Sequence, residues 1–337
     1  MALHAFNMNG AKFKDSKTIN KNKIPVQYVK RCNTVAIFAN ARNEKYIKEW
    51  AAHHLLLGFD YIFITDHLSV IPLTHVFNNF DKRVIISNYT QLSPPKTPLM
   101  AKAITTARKY KIDWFIYLDA DEFIVINHKT ITNIKQFLHI YNAADMVGIN
   151  WLIFGSNFLE KDPPNIIGHY TKSDLMLDKH IKAFVRPNEA LSPNTPHLYN
   201  IKTPANFFCY NTKMPELTPF NNLNIPFYKA PIYIAHYMIQ SKESYYRRKH
   251  IVPRDDSGQL RDKNDINNIH SICNSTINLQ PKIQYEEKIG KFLQKFLPVP
   301  APCTTQPAAP TDEPAAPTTQ DIIGSENTLN ANDGRFS

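Results

Sequence analysis

The stretch Asp113-Trp114-Phe115-Ile116-Tyr117-Leu118-Asp119-Ala120-Asp121-Glu122-Phe123-Ile124 sets the narrowest limits on what this chain can fold into. Trp114 to Leu118 is an unbroken run of large apolar side chains. Such a run reads as a strand covered on both faces, because a strand with one wet face would alternate. Three carboxylates follow at once: Asp119, Asp121 and Glu122. Two aspartates one residue apart, where a buried strand ends, suit a hard divalent cation that prefers carboxylate oxygens. In open α/β sheets, ligands bind outside the carboxyl ends of the strands. The pattern predicts that Asp119 and Asp121 hold a metal that in turn holds a phosphate; the bland alternative is a solvated strand end.

The flanking sequence repeats a strand–helix–strand rhythm. Thr34–Ala39 reads as a short buried strand, Tyr46–Leu57 as a helix with Ile47, Trp50, His54 and Leu57 on one face, and Gly58 as its stop. Asp60–Thr65 is a second strand, with Asp66 and His67 at its carboxyl end. This order favours a parallel sheet with right-handed crossovers. Val84–Ile86, a helix from about Leu99 to Tyr110, a return strand at Phe123–Ile126, a helix over Ile131–Tyr141 and an apolar run over Met146–Phe154 continue it. Beyond Lys161, prolines at 163, 164, 187, 193, 196, 204, 215, 219, 226 and 231 predict long irregular segments. Ile232–Tyr237 is a last strand, Ser241–His250 a basic helix and Tyr285–Phe296 an amphipathic one.

Three regions follow: a polar, lysine-rich arm over 1–32, a folded domain over 33–297, and a tail over 298–337. The tail repeats Pro307-Ala308-Ala309-Pro310-Thr311 as Pro314-Ala315-Ala316-Pro317-Thr318. Low apolar content with dense proline does not offset the entropy of ordering, so the tail is expected to be disordered. From Val299 onward there are acids at 312, 313, 321, 326 and 333 against one base, Arg335. The folded part is therefore more basic than the whole chain's net +10. That balance points to a polyanionic partner, whether phosphorylated small molecules, nucleic acid or an anionic membrane surface, or to compositional bias. No long Arg/Lys stripe interleaved with aromatics is present, which argues against nucleic acid. Cys32, Cys209, Cys273 and Cys303 lie far apart, so neither a zinc site nor a disulfide scaffold is expected. No signal-peptide core or spanning segment is found, and the expectation is a cytoplasmic protein, at most peripheral to a membrane through its basic surface.

Several motifs occur in a fixed order: Arg42-Asn43-Glu44, Glu49-Trp50 with His53-His54, Leu57-Gly58, Ile64-Thr65-Asp66, and Asp113-Trp114 with Asp119-Ala120-Asp121-Glu122-Phe123. Trp151 with Phe154-Gly155-Ser156, Lys182 with Val185-Arg186-Pro187, and His236-Tyr237 followed by Ser241, Glu243 and Lys249 complete the series. Over roughly residues 34–254 the chain resembles GT-A glycosyltransferases of the family-2-like and family-92-like group. The resemblance implies a GT-A, Rossmann-like α/β fold: a mixed, mainly parallel sheet flanked by helices. A nucleotide-sugar and metal half would span 33–160, and an acceptor half with C-terminal helices 161–297. It implies sugar transfer, as a hexosyltransferase and inverting, from a nucleotide-sugar donor to a glycan, glycoconjugate or protein, with Mn²⁺ or Mg²⁺ bridging the diphosphate.

On that resemblance Asp121 is the direct metal ligand, and Asp119 faces the metal, the ribose and the donor sugar. Ala41, Arg42 and Glu44 with Asp66 cradle the nucleoside; an Asx turn ending a strand is the plain alternative for Asp66. His236 is a second metal ligand, or else a packed strand-end histidine. Lys182, Arg186, Lys249 and Arg254 are candidates to meet phosphate oxygens, and Trp151 to stack on a sugar. The general base is expected among the downstream carboxylates Glu160, Asp162, Asp174, Asp178 and Glu216, with Asp162 favoured because it follows the Trp151–Ser156 segment. One departure stands out: the helix before the metal strand usually opens with a glutamine, and here reads Thr97-Pro98-Leu99-Met100-Ala101-Lys102. Two other classes remain: a non-catalytic basic binding protein, and another Asp-x-Asp metal enzyme such as a nucleotidyltransferase or phosphohydrolase.

Overall fold

The computed structural model describes residues 32–210, 212–262 and 268–297. The arm expected over 1–32, except Cys32, and the tail expected over 298–337 lie outside these residues. In chain order the elements are β1 (Val35–Ala41), α1 (Ile47–Leu56), β2 (Tyr61–Asp66), α2 (Leu73–Val76), β3 (Val84–Asn88), α3 (Lys96–Lys109), β4 (Trp114–Tyr117) and β5 (Glu122–Ile126). Next come α4 (Ile134–His139), β6 (Met146–Ile153), β7 (Lys172–Ser173), β8 (Ile181–Val185), β9 (Ala190–Thr195), β10 (Leu198–Ile201), β11 (Phe207–Cys209) and β12 (Thr212–Lys213). The last are β13 (Ile232–His236), α5 (Lys242–Tyr245), β14 (Thr276–Ile277) and α6 (Gln280–Gln294).

The main sheet runs β12-β11-β6-β8-β4-β1-β2-β3, with β13 beside β6 and β5 beyond β13. β4, β1, β2 and β3 are mutually parallel, as their buried apolar runs require. The chain steps from β1 to β2 in one direction and returns from β3 to β4 on the other side of β1. Right-handed crossovers then put α1 and α3 on opposite faces. α1 packs on β5 and α6, and α3 on β1, β4 and β9. The architecture is thus α/β with a mixed, mainly parallel sheet, and the carboxyl end of β1 lies where the strand order reverses, the usual ligand crevice of such sheets.

The irregular reading of the region beyond Lys161 is corrected at β8. Ile181–Val185 is buried throughout and runs antiparallel between β4 and β6. Lys182 sits inside that strand, 1% exposed, and interrupts the apolar pattern that would have announced it. Phe123–Ile126 does not return along β4; β5 pairs antiparallel with β13, in a register that sets His236 opposite Glu122. β6 serves three neighbours, β11 among them along Met146–Gly148. Its first half pairs with β8, and Trp151–Ile153 pairs with β13.

Glu49, Trp50, His53 and His54 do structural work. Among the described residues β5 has a strand partner on one side only, and its other edge is closed by side chains. Trp50 Nε1–H donates to Glu122 O at 2.7 Å, His53 Nε2–H to Ile124 O at 2.8 Å, and Ile124 N–H to His54 Nε2 at 3.4 Å. The Tyr285 hydroxyl accepts from Ile126 N–H at 3.2 Å. Since His54 Nε2 accepts, its proton sits on Nδ1, which donates to Trp50 O at 2.9 Å. Glu49 accepts from Ile166 N–H and Ile167 N–H, and burial pushes its carboxyl up to about 7. Gly58 ends α1 at φ +96°, a conformation that suits a residue without Cβ. Among the described residues no helix is long and apolar enough to cross a membrane.

Burial pushes the His53 imidazole from 6.5 down to about 4 and depresses His54 as well, so both are neutral in the fold. Between those pH values the unfolded chain binds more protons than the native one, so stability present above pH 6.5 is lost on acidification. The loss should reach about 3 kcal/mol for His53. Urea denaturation of the wild type and of His53→Gln at pH 7 and at pH 4.5 measures it as the difference between their pH dependences, because the raised carboxyls of Glu49 and Glu122 act in the opposite direction in both. His54→Leu, which strands the Ile124 N–H, should cost a further ~1–3 kcal/mol at neutral pH.

Candidate active site

β1 and β4 are adjacent and parallel, so the loops at their carboxyl ends open on the same side. Leu118 N–H bonds Phe38 O at 2.9 Å, and the chain then turns through Asp119-Ala120-Asp121 into β5. The Glu122 carboxylate accepts from Asp119 N–H at 2.9 Å and fixes that turn. Tyr237 N–H donates to Asp121 O at 2.9 Å, which ties the end of β13 to the same turn and brings His236 beside Asp121. Ligand atoms of Asp119, Asp121 and His236 all lie within 4.8 Å of one another.

Cations surround this cluster. Lys96 Nζ donates to Asp119 Oδ1 and reaches Asp255 at 3.2 Å, while Lys182 Nζ donates to Asp119 Oδ2 at 3.1 Å. Arg248 Nη2 donates to Asp121 Oδ2 at 2.5 Å and its Nε to Glu44 at 2.7 Å; Lys249 Nζ stands 3.3 Å from the same Asp121 oxygen. His236 Nε2 faces the other Asp121 oxygen at 3.4 Å. Lys96, Lys182, Arg248 and Lys249 thus meet Asp119, Asp121, Glu44 and Asp255.

Burial opposes ionisation of Asp119, but Lys182 and Lys96 outweigh it and hold the carboxyl below its ordinary range. Asp121 is likewise depressed, with burial overcome by Lys249, Arg248 and His236. Glu122 goes the other way: burial, only partly opposed by Lys182, pushes it up to about 8. Burial keeps His236 neutral against the pull of Asp121.

Arg248 and Lys249 come from a π-helical turn, Tyr246–His250, that continues α5. The wider turn presents both side chains to Asp121, and such turns recur at functional sites. Ser241 caps α5 by accepting from Ser244 N–H. At β1, Asn43 takes φ 55°, a left-handed conformation that asparagine tolerates. The bend is held by Asn43 N–H to Ser69 Oγ and Val70 N–H to Asn43 Oδ1.

Asp119, Asp121, His236, Glu44, Asp255 and the four cations line a cavity of about 310 Å³ with Arg42, Trp151, His180, His197 and Arg254. Of the residues expected from sequence, Arg42, Glu44, Asp119, Asp121, Trp151, Lys182, His236, Lys249 and Arg254 meet there. Ala41 ends β1 with its carbonyl bonded to His67 N–H and lines no part of the cavity. Asp66 also stands outside: its two oxygens accept from Ser69 N–H and Leu73 N–H, the turn alternative. Arg186 lies over the Trp114 ring at 4.2 Å and donates to Ala144 O and Asn142 O. Asp162, the favoured base, stands off the cavity. It is 3% exposed and bonded to Ser241 Oγ and to Arg247 at 2.8 Å.

Sequence reasoning missed Lys96, Arg248, His180 and His197. Lys96 lies where α3 begins, earlier than the start at about Leu99 expected from sequence. The run Arg247-Arg248-Lys249 was the available signal for Arg248. Away from the cavity, Ser156 Oγ, His270 and Glu160 form a chain of 2.7 Å and 3.0 Å that looks like a nucleophile triad. Ser156 is fully buried and its Oγ accepts from Phe158 N–H and Asn274 Nδ2–H, so it has no path to a substrate.

No family profile and no curated protein matches the chain. Among solved structures it is similar to S. aureus TarS 1–349 in complex with UDP, at 15% identity over 46% of this chain and 47% of that one, with a TM-score of 0.31. The same protein in complex with UDP-GlcNAc gives 16% identity over 46% and 45%, with a TM-score of 0.29. HddC from Yersinia pseudotuberculosis gives 12% identity over 52% and 88%, with a TM-score of 0.31. The chain thus spans about half the length of the TarS structures it matches.

The residues fit a divalent ion: two ionised carboxylates and a neutral imidazole supply an oxygen–oxygen–nitrogen donor set acceptable to Mn²⁺. Asp121 Oδ1, which faces His236, is the oxygen that no cation occupies, and an ion bound there shares the carboxylate with Arg248 on Oδ2. Arg248→Met removes the buried partner of Asp121 and Glu44 and should lower stability by roughly 3–5 kcal/mol in chelator. Mn²⁺ should then raise the melting temperature of the variant more than that of the wild type, measured by differential scanning fluorimetry.

Proposed function

We propose that this protein is a metal-dependent glycosyltransferase of the GT-A kind. It moves a hexosyl group, with inversion, from a nucleotide-sugar donor to a hydroxyl of a glycan, glycoconjugate or protein. One observation carries the reading: Asp119, Asp121 and His236 converge at the carboxyl ends of β4 and β13, facing a cavity also lined by Lys96, Lys182, Arg248 and Lys249. A carboxylate pair with flanking cations is what a diphosphate leaving group calls for, because its charge grows as the glycosidic bond breaks.

A divalent ion held by Asp119, Asp121 and His236 would neutralise that charge. Lys182 and Lys96 hold the Asp119 carboxylate in place and ionised, and Glu122 braces the turn through Asp119 N–H. Arg42 and Glu44 flank the nucleoside side, and Arg248 and Lys249, beside Asp121, are placed to bind phosphate oxygens. Trp151 offers an apolar platform for a sugar ring.

A second reading is favoured by a specific feature. Three of the four carboxylate oxygens of Asp119 and Asp121 already face a cation, so the diphosphate could be received by these side chains with no metal.

A panel of nucleoside-diphosphate sugars, assayed for diphosphate release with Mn²⁺ and with EDTA, tests both. The metal-dependent reading expects turnover of at least one donor with Mn²⁺, at least 100-fold less in EDTA, and near-complete loss in Asp121→Asn. Undiminished turnover in EDTA selects the second reading. Donor intact throughout, with no UDP- or GDP-induced thermal shift, overturns both.

A further inference from the structure

Asp178 and His180 form a dyad, of which His180 lines the cavity. The Asp178 carboxylate oxygen Oδ1 accepts from His180 Nδ1–H at 2.6 Å and from His180 N–H at 2.8 Å. A carboxylate only accepts, so the imidazole proton is fixed on Nδ1 and the Nε2 lone pair is left bare. Among the described residues no protein group bonds Nε2, and the side chain is 34% exposed at the cavity. We infer that His180 is the general base of the transfer, held in that tautomer by Asp178, and that its substrate is a sugar hydroxyl seated against Trp151. The inference rests on the transferase reading above.

The dyad and Trp151 are joined by main-chain hydrogen bonds and a ring contact. Asp178 N–H donates to Trp151 O at 2.8 Å, and Trp151 N–H to His180 O at 2.9 Å. The imidazole stacks on the indole with centroids 5.1 Å apart and planes inclined 23°. His236, beside the carboxylate cluster, meets the same indole on edge at 4.4 Å. Trp151 therefore spans the interval from the leaving-group side to His180, where an incoming hydroxyl has to lie for in-line attack.

In the step, the hydroxyl oxygen forms a bond to the anomeric carbon as the bond to the diphosphate oxygen breaks. The hydroxyl proton passes to Nε2, the electron pair leaves with the diphosphate, and Asp178 carries the charge of the imidazolium through Nδ1–H. Other charged or titratable groups near the ring are few. His197 lies 5.6 Å away and is neutral, because burial and Lys182 hold it down at about 4. Lys182 lines the same cavity, and Lys179 sits over the Phe220 ring whose edge meets His180.

The test uses the donor that the wild type turns over, with methyl glycosides as acceptor probes. His180→Gln should lower kcat by ~10²–10⁴-fold, leave the affinity for the nucleoside diphosphate unchanged by calorimetry, and abolish the acid limb of the kcat/KM profile. Asp178→Asn should also lower kcat while leaving that affinity unchanged, and imidazole should restore activity to His180→Gly. Nitrogen-15 spectra of the wild type should show His180 as the Nδ1–H tautomer, whatever the activity. A His180→Gln enzyme that keeps both rate and acid limb overturns the base and leaves the transferase standing. A wild type that binds UDP or GDP but turns over no donor also overturns the base while keeping the donor site. One that neither binds nor turns over a donor overturns the transferase reading itself.

Discussion

Burying a carboxylate is among the costliest things a fold can do, and the turn after β4 does it with Asp121, beside the partly covered Asp119. Much around the cavity follows from meeting that cost. Lys182 enters a strand whose other residues are apolar, Lys96 opens α3 with its ammonium buried, and Arg248 reaches inward from a π-helical turn. None of these placements is favourable alone, since each buries a charge. Together they are mutually required, and such an arrangement holds its geometry before any ligand arrives, which is what catalysis by fixed charges needs.

The parallel half of the fold was legible because its signals are local. β1, β2 and β4 are continuous apolar runs with turn chemistry at each end, and Gly58 marks the end of α1 as expected. The half beyond Lys161 resisted for a physical reason. β8 carries a lysine in its middle, and β11 joins the sheet with three residues, so neither shows the period by which strands are recognised. Prolines there mark turns between short strands and long loops alike.

The site divides along a similar line. Asp119, Asp121 and His236 end strands and point where strand ends point, so their convergence could be anticipated from order alone. Asp66 also ends a strand, yet two backbone N–H groups lie within its reach and use both of its oxygens. Asp162 lies near the acceptor segment in sequence, but Ser241 and Arg247 come from 79 and 85 residues away to bind it. Whether a carboxylate is free for chemistry depends on distant neighbours that a linear reading does not see. The same holds for His180, which becomes distinctive only when Asp178 and Trp151 are seen on either side of it.

The covered edge of β5 bears on a different property. A strand with one unpaired side is normally a template on which a second chain can add its own strand, the first step toward aggregation. Here an indole, two imidazoles and a phenol take the hydrogen-bonding valences along that side. The strand that leads away from the carboxylate pair is thereby sealed against strand exchange, and this is achieved with side chains of two helices, α1 and α6, in place of another strand.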